Sequence, residues 1–250
     1  MAAPIQKLFQ SAYKLFSRVT VGSSGFNEHL REVTALASKL TATDLNFNFQ
    51  DDPTTQRRVE QGEEAPAVYV HLFEDRVLSM GIFVVRQGCR IPLHNHPGMH
   101  GVCKVIQGTI RVNSFSEVSR VGLDIPKNIE QDMKQSIFPI LKKKEQSQFS
   151  PVMTYSSETL TTDDPACVLL PSDGNIHEMI SVDGPAAFVD ILAPPYDHTT
   201  GERVCQYYRD CSEDTPTSSN SQVRWLRSIP PPHSFWCDTM EYNGPSMEIQ

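Results

Sequence analysis

The sequence predicts a mainly β fold, an antiparallel sandwich or barrel with N-terminal helices packed outside it. Three observations carry this prediction. From about residue 67 onward the chain is a series of short runs rich in β-branched and aromatic residues. Gly, Pro, Asn and Asp punctuate those runs, and no alternating βαβ rhythm connects them. The first 45 residues differ, with apolar residues recurring at helical spacing.

In chain order, Ile5, Leu8, Phe9, Ala12, Leu15, Phe16 and Val19 fall on one helical stripe. Lys7, Lys14 and Arg18 accompany them, and no acid precedes Glu28. A short, basic, acid-free amphipathic helix can be a mitochondrial transit peptide. It can equally be a helix laid on a domain's outer face, and the packed helix is the expectation. Asn27 is the expected N-cap of a second helix whose stripe is Leu30, Val33, Ala37 and Leu40. Residues 47–66 are polar, contain Pro53 and Pro66, and read as a connector. Strands are expected at 68–74, 78–87, 101–115, 166–171, 177–182 and 186–193. Residues 119–150 read as a long polar insertion and 212–222 as a polar linker. VRWLRS and FWCDTM then add edge strands or pack back on the barrel. The division expected is a helical segment over 1–45 and one β folding unit over 46–250, with 212–250 as its C-terminal extension.

Composition removes several function classes. A chain of 250 residues supports one full domain with a real core. Its 18 Pro outnumber its 13 Gly, which suits many rigid turns and strand ends. The net charge of -8 argues against nucleic-acid binding. The one basic cluster, Lys142, Lys143 and Lys144, sits in a polar stretch and reads as a solvated loop. No apolar run approaches the roughly 20 residues that span a bilayer. The six cysteines, Cys89, Cys103, Cys167, Cys205, Cys211 and Cys237, make no CxxC pair and fit reduced thiols in the cytosol or nucleus. A monomer is expected, since no apolar surface helix demands a partner.

The chemistry concentrates around His94 and His96. In a strand, side chains two apart share a face, so the two imidazoles converge while Asn95 turns away. A third histidine, His177, opens a later predicted strand and can be brought beside them by antiparallel pairing. Three neutral imidazoles leave coordination positions open for O2 and a substrate atom. Imidazole binds iron, zinc, copper and nickel alike, so ligand type does not choose the metal. Asp190 lies in the apolar run AAFVDILA, where a carboxylate is costly without partners. It either faces a functional pocket or is satisfied by backbone N–H groups. Cys205 and Tyr207 are two apart and would share a strand face.

The surrounding residues follow the two motifs of the cupin fold. Gly88, His94, His96 and Gly108 match the first, allowing one extra residue before the last glycine. Pro171, Gly174 and His177 match the second, allowing one extra residue between proline and glycine. His100 stands where the first motif has glutamate, and Ser181 where the second has asparagine. His100 is expected to hydrogen-bond around the metal, the Pro97-Gly98 turn moving it off the HxH face. The stretches IPLHNHPGMHG (91–101), VDGPAAFVDILAPPYD (182–197) and CQYYR (205–209) resemble the cysteamine dioxygenase / plant cysteine oxidase family. The resemblance runs from about Leu45 through the FWC segment.

That resemblance implies a cupin-type double-stranded β-helix, or jelly-roll, barrel. It implies one Fe2+ held by His94, His96 and His177, with O2 as co-substrate. Its substrates would be cysteamine, giving hypotaurine, and peptides or proteins with an N-terminal cysteine, whose oxidation feeds the arginine N-degron pathway as an oxygen sensor. Asp190 would line the site, and the Tyr196 hydroxyl would lie near substrate or the metal-bound oxygen. A Cys205–Tyr207 thioether crosslink is a further expectation. The competing reading is a non-catalytic or differently metallated cupin that binds a ligand.

Overall fold

The computed structural model describes residues 3–123, 129, 148–197, 199–211 and 223–249. Most of the expected 119–150 insertion and the whole 212–222 linker lie outside the described residues.

Helix α1 (Pro4–Arg18) begins on a proline, whose missing N–H costs nothing in the first turn. Most of its expected stripe is buried, with Ile5, Phe9, Ala12 and Leu15 at 0% exposure, while Phe16 and Val19 are half-buried. Helix α2 (Ser24–Ser38) starts earlier than expected. Ser23, in extended conformation, accepts from the Phe26 N–H at 3.3 Å and is the cap. Asn27 therefore lies inside the helix, because a serine already offered its oxygen to the open N–H groups one turn upstream. Both helices pack against each other and against strands through Phe9, Phe26, Val33 and Leu40.

The presumed connector is more ordered than its composition suggests. It contains α3 (Thr55–Glu60). Arg86, nearly buried, ion-pairs with Asp51 and with Glu64 at 2.7 Å, and donates to the Ala65 carbonyl at 2.9 Å. Arg58 reaches the same Glu64 at 2.6 Å. A buried guanidinium needs such partners on all sides, and supplying them clamps residues 51–65 to the sheet.

Among the described residues ten strands follow: β1 (Ala67–Glu74), β2 (Ser79–Val85), β3 (Arg90–Asn95), β4 (His100–Glu117), β5 (Phe149–Leu160), β6 (Cys167–Leu169), β7 (Ile176–Ala193), β8 (Tyr207–Asp210), β9 (Val223–Ile229) and β10 (Cys237–Thr239). The ring β4–β7–β3–β8–β9–β5–β4 closes into a six-stranded antiparallel barrel, the cupin-type architecture expected. β1 and β2 extend the sheet from β7, and β10 adds a parallel edge to β1.

Two details depart from expectation. The strands at 177–182 and 186–193 are one long β7, bent at Asp183 (φ 59°) and Gly184 (φ 138°). Its partner β4 bends at Gly108 (φ 70°), where a Cβ would lie 2.6 Å from the Pro185 carbonyl oxygen. The last glycine of the first motif is thus required by close backbone approach. β5 was not foreseen as a strand; its exposed polar residues broke the apolar signal.

The long strands carry two different faces. Ala187, Val189 and Ile191 of β7 pack outward with the helices. Ala186 and Phe188 point inward to a second cluster with Val105, Ile110 and Met179. Asp190 and Leu192 continue that inward face into a cavity.

Candidate metal centre

β3 delivers His94, and the turn just after it delivers His96. β7 delivers His177, whose Cα is paired across the strands with that of His94. The three imidazoles converge, with one ligand nitrogen from each lying within 4.8 Å of the others. Ring centroids are 4.8 Å apart for all three pairs. Asn95 turns away, as alternation requires, and bonds the Tyr208 hydroxyl at 3.2 Å and the Gln206 N–H at 2.9 Å.

Hydrogen bonds fix which nitrogen His94 and His96 present. His94 Nδ1 donates to the Pro92 carbonyl at 2.8 Å, leaving Nε2 free as a ligand. The Tyr196 hydroxyl donates to the Asn95 carbonyl at 2.7 Å and accepts from His96 Nδ1 at 2.9 Å. That arrangement again leaves Nε2 for a metal. His96 Nε2 and His177 Nε2 lie 3.1 Å apart. Two nitrogens about 2.1 Å from one ion and at right angles to each other are about 3 Å apart, so this spacing suits a shared ion. Burial lowers the pKa of all three rings, His94 to about 4 and the other two well below the usual histidine value. For His96 the neighbouring His177 adds to the effect. Neutral imidazoles are the ligand form, so the residues present fit a metal ion.

Tyr196 and Asn175 support the ligands. Tyr196 was expected near substrate or the metal-bound oxygen; the structure places its hydroxyl on the ring of His96. Asn175 accepts from the His96 N–H at 3.1 Å and donates to the His96 carbonyl at 2.7 Å. Sequence reasoning passed over Asn175, although it sits between Gly174 and His177 in the second motif. Ser181, at the motif's asparagine position, is buried and donates to the Arg86 carbonyl at 2.6 Å.

The structure brings His100 to Phe26 (4.9 Å between ring centroids) and Phe16 (6.2 Å), against the N-terminal helices. It is not part of the three-imidazole group. Its expected place around the metal is replaced by an aromatic contact because β4 begins at His100 on the helix side of the sheet. Cys205 precedes β8 rather than lying in it; burial raises its thiol pKa, and the neighbouring Tyr196 and Tyr207 pull it back.

A cavity of about 250 Å³ opens on the site, walled by His177, Asp190, Cys103, Cys167, Met179 and Glu158. Asp190 faces it from β7, opposite Cys103 of β4 and Gly81 of β2. Burial raises the Asp190 carboxyl pKa to about 7. A carboxyl poised there, in a cleft beside metal-type ligands, has the mark of a functional group.

Comparison with known proteins agrees with this arrangement. The family model described as PCO_ADO matches residues 36–247. The human protein named 2-aminoethanethiol dioxygenase is 34% identical over 234 residues, covering 89% of this chain and 83% of its own. The mouse protein of the same name is 33% identical over 261 residues, covering 99% and 97%. Plant cysteine oxidase 1 of Arabidopsis thaliana is 28% identical over 225 residues, covering 88% and 68%. With a match that spans the barrel, both histidine motifs and the C-terminal strands, this chain belongs to the PCO_ADO family.

Proposed function

We propose that this chain is an iron(II)-dependent dioxygenase that converts a thiol and O2 into a sulfinic acid. The observation that carries the reading is the group of three neutral imidazoles, two of them oriented by hydrogen bonds, at the wall of a cavity shared with Asp190. Relatives named as dioxygenase and cysteine oxidase point the same way. Zinc carries no redox chemistry, so an oxygenase at this site calls for a redox-active metal, and iron suits a set of imidazoles with open positions.

His94, His96 and His177 would hold the iron. When bound, iron(II) supplies acidification of the thiol and activation of O2. The protein's own groups do the rest. Tyr196 and the Pro92 carbonyl keep the rings of His96 and His94 in the ligating tautomer. Asp190, titrating near neutrality, pairs in its ionised form with a substrate ammonium and holds the thiol end toward the histidines. Met179 and Leu192 keep that end of the cavity apolar. The balance is RSH + O2 → RSO2H, with no external reductant.

The substrates that fit an ammonium beside a thiol are cysteamine and peptides or proteins beginning with cysteine. Oxidation of the latter would place the chain in the arginine N-degron response to oxygen. The test is mass spectrometry after anaerobic loading with ferrous iron and admission of air, using cysteamine or a short peptide with N-terminal cysteine. A gain of two oxygen atoms that requires iron is expected. No gain with either thiol, in protein shown to hold iron, overturns the reading and leaves a ligand-binding barrel.

A further inference from the structure

Cys103 and Cys167 are not used by the chemistry above, yet they share one cavity wall. They are direct cross-strand partners in the β4–β6 pairing. Opposed residues of antiparallel strands have Cα atoms about 4.5 or 5.5 Å apart. Both values lie within the roughly 4.4–6.8 Å that a disulfide spans. The two thiols shift each other's pKa, Cys103 upward and Cys167 downward. Both are free, both are partly accessible, and both line the cavity with His177 and Asp190. β6 is only three residues long and ends the sheet order, so it can move the small distance that bond formation needs.

We propose that Cys103 and Cys167 form a dithiol–disulfide site in the cavity wall, which reacts with small amine-bearing disulfides. The preference for amines rests on the proposed function, since Asp190 and Glu158 face the same space. The exchange is written with Cys167, on the short edge strand, as the attacking thiolate and Cys103 as the resolving thiol.

The exchange balances. The Cys167 sulfur attacks one sulfur of the small disulfide, that S–S bond breaks, and one small thiol leaves with a proton. Cys103 gives up its proton and attacks the Cys167 sulfur of the mixed disulfide, and the second small thiol leaves. The protein dithiol loses two electrons and the small disulfide gains them. With cystamine, the two products are two molecules of cysteamine.

The test treats the iron-loaded protein anaerobically with cystamine, blocks remaining thiols by alkylation and maps peptides by mass. The expected result is a linked pair of peptides carrying Cys103 and Cys167, two hydrogens lighter than the free thiols and restored by dithiothreitol. A thioether at Cys205 and Tyr207 would survive that reduction and map elsewhere. In Cys103→Ser, Cys167 should stop as the mixed disulfide with one aminoethanethiol arm. Wild-type protein in which both cysteines remain alkylated, or stop as separate mixed disulfides, overturns the proposal. Protein that forms the bond but adds no oxygen to thiols keeps this site and loses the dioxygenase reading. Protein that oxygenates thiols with both cysteines unlinked does the reverse.

Discussion

The outward and inward faces of β4 and β7 are built from the same two strands and do opposite work. Outward, Val102, Val189 and Ile191 are each 1% exposed and pack with Phe9, Leu8 and Val33 of the helices. Inward, one residue away along the chain, stand Cys103 and Asp190. The outward face is apolar and dry, where the energy is area removed from water. The inward face keeps a carboxyl, two thiols and an imidazole around open space. The period-two alternation of a strand is what lets so sharp a change occur over about 3.3 Å. Stability and chemistry are therefore separable by substitution in this fold, even between adjacent residues.

The largest effect should come from the inward side. His177→Ala should lose most of its iron and cut turnover by more than the roughly 10–100-fold that removal of a supporting group costs. Metal analysis beside thermal unfolding checks this; full iron retention would remove His177 from the ligand set. The outward side should break differently. Phe9→Ala removes a ring at 0% exposure and should cost about 3–5 kcal/mol of stability. The folded fraction should still bind one iron per chain. If Phe9→Ala empties the metal site in protein that remains folded, the two faces are coupled.

Two smaller changes sharpen the comparison. Tyr196→Phe removes the hydroxyl bonded to His96 Nδ1 and should weaken metal affinity about 10-fold, at the low end for such supporting contacts. A competition titration with a chelator measures it. Asp190 gives a signature of a different kind, a pH slope. Its folded pKa of about 7 lies above the ordinary 3.8. Between those values the folded state holds the proton that the unfolded chain releases, so this group's contribution to stability falls as pH rises through that window. Asp190→Asn should flatten that part of the melting-temperature profile between about pH 4 and 7. An unchanged profile would mean that Asp190 ionises normally.

The parts legible in the sequence were those fixed by local spacing. His94 and His96 sit two apart, and the apolar stripe of α1 is written in seven residues. His177 was legible through its proline and glycine, although its approach to His94 depends on the register of β3 against β7. What sequence left out depends on partners far along the chain. Ser23 beats Asn27 as a cap because of where the chain turns extended. β5 hides its strand character because Thr154, Tyr155 and Glu158 face solvent or the cavity mouth. The aromatic seat of His100 requires α2 to have docked first. The pairing of Cys103 with Cys167 exists only in the β4–β6 register.

One contact joins regions 242 positions apart. Gln6 donates to the Glu248 carbonyl at 2.8 Å and accepts from the Glu248 N–H at 2.9 Å. Asn46 donates to the Asn243 carbonyl at 3.0 Å nearby. The helical layer is thus buttoned shut by segments that leave the ribosome about 200 residues after it. During synthesis α1 and α2 must wait for residues 243–248 to be made before those contacts can form, with their apolar stripe exposed in the interval. That stripe is a natural place for a chaperone to hold the nascent protein. Removing residues 241–250 should leave that layer open to proteases even after the barrel has formed.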